Sequence, residues 1–214
     1  TEYDYSEDLK KGFIDIISNK NKRKINFSVN KKKLIFQLYD KMNDANFNYN
    51  GKIDFKPFYF DFSGKIKKID IKNFINPKSI LQQFLKTKLL YNRNINIISK
   101  INAEKIFPYQ KFINLLFNFR INEGLIDIDD SKFTWYEHAD FEISNSLIYL
   151  NENNLIWDGR MKIRIKNYGE IYKFFQTPRN FRKEIQNLEF AFNYNFDQSI
   201  INIMNMKIDG QDNL

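Results

Sequence analysis

The chain has no cysteine, which excludes disulfides, thiol nucleophiles and Cys-based zinc sites. It has one histidine, His138, so no imidazole pair exists to hold a transition metal. With seven glycines and four prolines in 214 residues, it contains no G-x-G-x-x-G, no G-x-x-x-x-G-K-[ST] and no G-x-S-x-G. No run of about 18 uninterrupted apolar residues occurs, so nothing here reads as a membrane-spanning helix. There is no signal-peptide pattern, and the first residue is Thr1 rather than Met, so the sequence reads as a piece of something longer.

What is present is apolar and aromatic. Hydrophobic residues make up 43% and aromatics 17%, too much for a disordered chain. Lys and Arg number 34 against 26 Asp and Glu, a net charge of +8. The 29 Asn and 31 Ile stand against four Ala and the single Val29, a bias toward residues with A/T-rich codons that accounts for much of the lysine excess. The basic residues are scattered among acids. The two tight runs, Lys20 to Lys24 and Lys31 to Lys33, read as hairpin turns and not as a nucleic-acid patch.

Period-two alternation, the strand period, dominates. Ile25, Phe27 and Val29 alternate with polar residues, and Leu34, Phe36 and Leu38 follow a turn at 30–33. Phe58, Phe60 and Phe62 alternate with Tyr59, Asp61 and Ser63, and Gly64-Lys65 reads as a turn into a strand holding Ile69 and Ile71. Later come Phe119 and Ile121, Ile126 and Ile128, Phe133 and Trp135, then Phe141 and Ile143. Leu188, Phe190, Phe192, Tyr194 and Phe196 form the longest alternation. Turns at 122–124, 129–131, 151–154 and 197–199 complete the rhythm of an antiparallel meander with one apolar and one wet face.

Three short helices are expected to interrupt it. Asn76-Pro77 offers an N-cap and first-turn proline ahead of Ile80, Leu81, Phe84 and Leu85. Phe107-Pro108 precedes Tyr109, Phe112, Ile113 and Leu116 at helical spacing, and Tyr168 to Phe175 is ended by Thr177-Pro178. An internal echo links Gly64 to Phe74 with Gly159 to Tyr168; from Ile69 and Ile163 onward the offset is 94 residues. Each copy reads as strand, Lys-Asn-aromatic, helix: either a repeated unit or a chance match in a composition this rich in Ile, Lys and Asn.

The residues give no catalytic constellation. His138 lies in Trp135-Tyr136-Glu137-His138-Ala139-Asp140 and reads as an exposed turn residue. Asp127, Asp129 and Asp130 lack the Gly and Glu of a calcium loop and read as a hairpin turn. No metal, no cofactor and no enzyme activity are expected.

An apolar face of this length must be buried, or must bind something apolar. Its candidate lining is Phe58, Phe60, Phe62, Ile69 and Ile71 in the first half, with Phe119, Ile121, Ile126, Ile128, Phe141 and Ile143 following. Ile163, Ile165, Leu188, Phe190, Phe192 and Tyr194 complete it. Phe and Ile in register, with little charge, suit hydrocarbon better than sugar or nucleotide.

The run from Phe58 through Ile71 into Asn76-Pro77 resembles the AsmA-like family of Gram-negative envelope proteins. So do Phe119 to Ile128, Ser146 to Gly159 with its Leu155-Ile-Trp157-Asp-Gly159, Tyr168 to Thr177, and Met206 to Gly210. The likeness covers about residues 50 to 210 and rests on apolar alternation with Gly-containing segments. It implies a mainly β fold: a long curved antiparallel meander forming a β-groove or half-pipe, with three or four short helices on it or at its edges. Residues 1–50 would be a hairpin region continuing the sheet and 51–214 the groove segment, with repeat units about 51–118 and 119–214. It further implies a non-enzymatic, lipid-binding or lipid-conducting role in the periplasm. Inner-membrane tethering would come from a segment outside this sequence, with phospholipid and outer-membrane or envelope proteins as partners and no nucleic acid. The alternatives are a ligand-free β-sandwich scaffold and, less favoured, a single-strand nucleic-acid platform.

Overall fold

The computed structural model describes residues 10–18, 21–40 and 47–212. The fold is mainly β. Five strands come first: β1 (Lys10–Ser18), β2 (Asn21–Val29), β3 (Lys33–Asp40), β4 (Phe47–Phe55) and β5 (Phe58–Asp70). Two short helices, α1 (Lys72–Ile75) and α2 (Ile80–Leu85), and a 3-10 turn at Lys88–Tyr91 lead to β6 (Ile95–Phe107). Then come β7 (Phe112–Asn122), β8 (Leu125–Asp127), β9 (Lys132–Trp135), β10 (Ala139–Asn151) and β11 (Asn154–Ile165). After α3 (Tyr168–Phe174) and a 3-10 turn at Arg179–Phe181, β12 (Asn187–Asn195), β13 (Ile200–Ile208) and β14 (Gln211–Asp212) finish the chain.

All fourteen strands belong to one sheet whose order follows the chain, with β8 and β9 sharing the place between β7 and β10. Among the described residues there is no second sheet, so no sandwich partner faces this one. Every pairing is antiparallel except β5 with β6, which run parallel. The expected pure meander is corrected there, and the cause lies in the connection. A parallel neighbour can be reached only by carrying the chain back along the full strand, and α1, α2 and the turn after them make that return.

The return path builds the core. Leu85 and Leu90 are fully buried against Ile121, Ile126, Ile128, Ile143, Ile148, Leu155 and Phe196, with Phe74 and Tyr91 packed alongside. Each such side chain contributes about 1.5–3 kcal/mol by leaving water. A smaller cluster of Ile66, Ala103, Ile106 and Leu115 extends it across β5 to β7. Ile66 and Ile69, like Ala103 and Ile106, are three apart yet join this one cluster, so both strands change pleat phase together at that level.

Helix forms at two of the three expected places. The Ser79 side chain caps α2 by accepting from Gln82 N–H at 3.1 Å, so the helix starts after Asn76-Pro77 and not at it. Asn167 caps α3 by accepting from Glu170 N–H at 3.2 Å. The third place is wrong: Phe112 to Leu116 lies in β7. Asn114 there has φ 54° and the pairing with β9 slips between Ile113 and Leu116, so a bulge interrupts the alternation and mimics helical spacing.

Other differences are local. Gly64-Lys65 is no turn but the interior of β5, with Gly64 opposite Tyr49. Lys22 to Lys24 lie in β2, while Lys20 falls outside the described residues. Asp127 to Ser131 is not a hairpin turn but the break between β8 and β9, held by Arg120. That guanidinium donates to Asp127 at 2.8 Å and stands 3.8 Å from Asp129 and 3.6 Å from Asp130. The hydrogen bond to Asp127 raises the Arg120 pKa further above its ordinary value. Ser146 Oγ accepts from Ile128 N–H at 2.7 Å, and Asp129 accepts from Ser146 N–H at 2.6 Å, so the interrupted backbone keeps its partners. His138 sits in the β9–β10 turn as expected, but half-buried and edge-on to Trp135 at 5.7 Å.

Candidate functional site

Directly opposed residues in a sheet lie on the same face, so register converts a list of strands into rows. One row is apolar across eleven strands. It begins at Val29, Leu34, Ile53 and Phe60, on β2 to β5. It continues through Ile97, Ile121 and Ile126 to Ile148, Trp157, Tyr194 and Ile201. At the usual strand spacing it is about 48 Å long. No charged residue interrupts it.

Neighbouring rows are built differently. Gly12, Phe27, Phe36, Gly51 and Phe62 lie side by side across β1 to β5, and Tyr49 stands opposite Gly64. Each aromatic ring lies over the glycine facing it. A methyl group at Gly51 would come 2.2 Å from Phe36 Cζ, one at Gly64 2.4 Å from Tyr49 Cδ1, and one at Gly12 2.7 Å from Phe27 Cζ. Gly159 under Phe192 repeats the arrangement in β11 and β12, at 2.9 Å. Glycine opens the backbone and the cross-strand ring fills it. The rings also tile: Phe36 stacks with Phe60 at 6.3 Å and Phe62 at 6.4 Å, and Tyr49 with Phe62 at 5.5 Å.

Among the described residues the two buried clusters lie over the middle of the face, and Leu38 on β3 is buried as well. Ile121, Ile126 and Ile148 are sealed beneath the crossover. Val29, Leu34, Phe36, Ile53, Phe60 and Phe62 are half-buried, and Ile201 and Ile203 are exposed at 53% and 50%. Among the described residues of β1 to β4, Tyr49 alone packs against either buried cluster.

The predicted lining residues divide accordingly. Phe60 and Phe62 lie on the uncovered stretch, and Phe58 next to them is 36% exposed. Ile121, Ile126, Ile128, Ile143 and Phe192 are buried. Phe119, Tyr194 and Phe190 are half-buried on the same face. Phe141, Ile163 and Leu188 share one row, Phe141 stacking on Phe133 at 4.6 Å, and Ile165 stands opposite Ala139. Ile69 and Ile71 pack against the smaller cluster. The predicted lining omits Val29, Leu34, Phe36, Tyr49 and Ile53, which make most of the half-buried apolar face of β2 to β4; the alternation of β2 and β3 pointed to the first three.

The opposite face is polar. Lys132, Glu142, Lys162, Glu189, Lys207 and Asp212 oppose one another in turn from β9 to β14, alternating in sign. A hollow of about 580 Å³ on this face is lined by Asn145, Asp158, Arg160, Asn193 and Asn202. Its Asp158 carboxylate accepts from Tyr149 Oη at 3.0 Å and Asn193 Nδ2 at 2.6 Å, which leaves it well partnered. Burial, then the Asp158 hydrogen bond, raises the Tyr149 pKa. Among the described residues no three His, Asp or Glu gather as metal ligands, and no helix is long and apolar enough to cross a membrane.

No protein family matches the chain, and no match was found among curated proteins or solved structures.

Proposed function

We propose that the chain is a non-enzymatic β-groove segment that holds acyl chains of phospholipid, of the AsmA-like kind. It would serve in the periplasm of a Gram-negative envelope, tethered to the inner membrane by a segment outside this sequence. The observation that carries the reading is the eleven-strand apolar row, in register and without a charge, only half-buried over β2 to β5 and there outside both buried clusters of the described residues. Exposed apolar surface on this scale marks a binding site for something apolar. The row runs across the strands, so an acyl chain would lie perpendicular to them on the Phe36, Tyr49, Phe60 and Phe62 floor. The crossover seals the row at β7, β8 and β10, and lipid is assigned to the stretch before it.

Delipidated protein should take up a fluorescent phospholipid, and mass spectrometry of the untreated protein should find co-purified lipid. Phe60→Asp should abolish uptake while circular dichroism stays unchanged. Absence of both uptake and bound lipid in the unaltered protein would overturn the reading in favour of a ligand-free scaffold.

A further inference from the structure

Three connections meet at one end of the sheet: 108–111 between β6 and β7, 136–138 between β9 and β10, and 166–186 between β11 and β12. They are tied into one surface. Tyr136 Oη donates to the Gln110 carbonyl at 3.0 Å, and the His138 carbonyl accepts from Lys166 N–H at 2.8 Å. Phe174 packs edge-on against Trp135 at 4.9 Å, and Lys111 Nζ lies 4.7 Å from the Phe174 ring centre.

This surface displays aromatic rings that stay largely exposed. Phe175 is 68% exposed, Phe181 66% and Phe174 50%, with Tyr109 and Tyr136 beside them. The segment holding them is braced: Arg182 Nε donates to the Thr177 carbonyl at 2.8 Å, and Lys183 N–H to Tyr172 Oη at 3.3 Å. Residues 166–184 carry five Lys or Arg against two Glu, a net +3. Among the described residues, Arg179, Arg182 and Lys183 make no ion pair. Turns at the opposite end, at 92–94, 122–124, 151–153 and 197–199, contain no aromatic residue.

Exposed Phe rings rimmed by unpaired cations are the chemistry of the interface of an anionic bilayer, where rings enter the headgroup–acyl boundary and cations meet lipid phosphates. We infer that this end of the sheet docks on an anionic phospholipid membrane through Phe175 and Phe181, with Arg179, Arg182 and Lys183 on the phosphates. The inference stands on the 166–186 connection alone and does not depend on acyl-chain binding by the sheet face.

Sedimentation with phosphatidylcholine vesicles, with and without phosphatidylglycerol, tests it. The protein should pellet with the phosphatidylglycerol vesicles and remain largely free of the others. The double variant Phe175→Ser, Phe181→Ser should bind about 10-fold more weakly, and Arg179→Glu with Lys183→Glu should remove the preference for anionic lipid. Phe175→Trp should shift its emission to the blue on vesicle addition and be quenched by brominated lipid, a readout that misfolding would not produce. Phe60→Asp should leave vesicle binding unchanged, which separates this surface from the acyl-chain site. Failure to pellet with phosphatidylglycerol, or equal pelleting by the double Ser variant, would overturn the inference. So would binding of a single-stranded oligonucleotide, lost in the Glu variants, without vesicle binding.

Discussion

Strands β1 to β5 and strands β7 to β12 obey the same alternation and share the same rows, yet one set is half bare and the other holds the core. The difference is in the connections. Where the turns are described, consecutive strands of the first set are joined by a few residues, such as 30–32 and 56–57, and such links have nothing to lay over a face. The second set lies beneath the one connection that a parallel pair makes unavoidable. A single change of strand direction therefore decides which part of an otherwise uniform apolar face becomes core. What remains uncovered is protected by its own rings lying over glycines.

The largest test compares Phe196→Ala with Phe62→Ala. Phe196 is fully buried beneath the crossover, in edge contact with Phe74 at 5.6 Å and Tyr194 at 4.8 Å. Its truncation should leave a cavity and cost about 3–5 kcal/mol in urea-unfolding free energy. Phe62 is only half-buried and packs against neighbouring rings outside both buried clusters, so its truncation should cost less, about 1–2 kcal/mol. Equal costs would mean that the two regions are covered alike and that the comparison is false.

Glycine substitutions should follow with smaller effects. Gly124, in the β7–β8 turn, has φ 83°, and a Cβ there would stand 2.6 Å from the Tyr91 backbone oxygen of the crossover. Gly124→Ala should cost about 2–3 kcal/mol, because both the backbone angle and a rigid neighbour oppose it. At Gly51 the obstacle is the far end of the Phe36 ring, which can swing outward, and Gly51→Ala should cost about 1 kcal/mol. Thermal melts of the two variants would show whether glycine serves packing of the crossover or only seating of a ring.

Much of this was legible in the sequence, for a physical reason: period two survives wherever one face is apolar and the other wet. Ile25 to Leu38 and Leu188 to Phe196 could be placed on strands, and Tyr168 to Phe174 on a helix, from pattern and caps alone. The failures occur where the pleat is broken. The bulge at Asn114 put Phe112 and Leu116 at helical spacing, and Gly64 read as a turn because its partner, Tyr49, is a long-range neighbour. Register is the missing information for the candidate site. The letters show that Phe60 and Trp157 each lie on an apolar face, but only pairing through four intervening strands shows that they share one row.

A smaller effect tests how the crossover is fastened. Lys86, at the end of α2, pairs with Asp197 in the β12–β13 turn, and Asp197 also accepts from Leu155 N–H at 2.9 Å. Burial pushes the Asp197 carboxyl up, but the Lys86 and Leu155 hydrogen bonds and the Lys86 charge outweigh it, and the pKa lies below its ordinary value. A carboxyl depressed in the folded state adds stability above its unfolded pKa of about 3.9, and that stability is lost as pH falls through the folded value. Asp197→Asn should cost about 1–2 kcal/mol at pH 7, with the difference from the unaltered protein shrinking in acid. A difference that persisted at low pH would mean that the carboxylate charge does not hold the helix to the sheet.

The smallest effect concerns the polar face, where the two regions differ again. From β2 to β5 the opposed row is Asn26, Gln37, Asn50 and Ser63, all neutral, with Ser63 Oγ donating to Asn50 at 2.8 Å. From β9 to β14 the opposed row alternates in charge, and Lys132 reaches Glu142 at 2.9 Å. Glu142→Lys would put three cations side by side on β9, β10 and β11, and like charges directly opposed are unfavourable. Because these side chains are exposed, the loss should be only about 0.5–1 kcal/mol at low salt. It should shrink as added salt screens the row. Asn50→Lys, the same charge change placed in the neutral row, should cost less and respond less to salt. A one-residue slip in pairing would exchange the wet and apolar faces, so an alternating row also acts against misregister. If Glu142→Lys and Asn50→Lys proved equal at every salt concentration, the charged row would contribute nothing to register, and the covered core alone would set it.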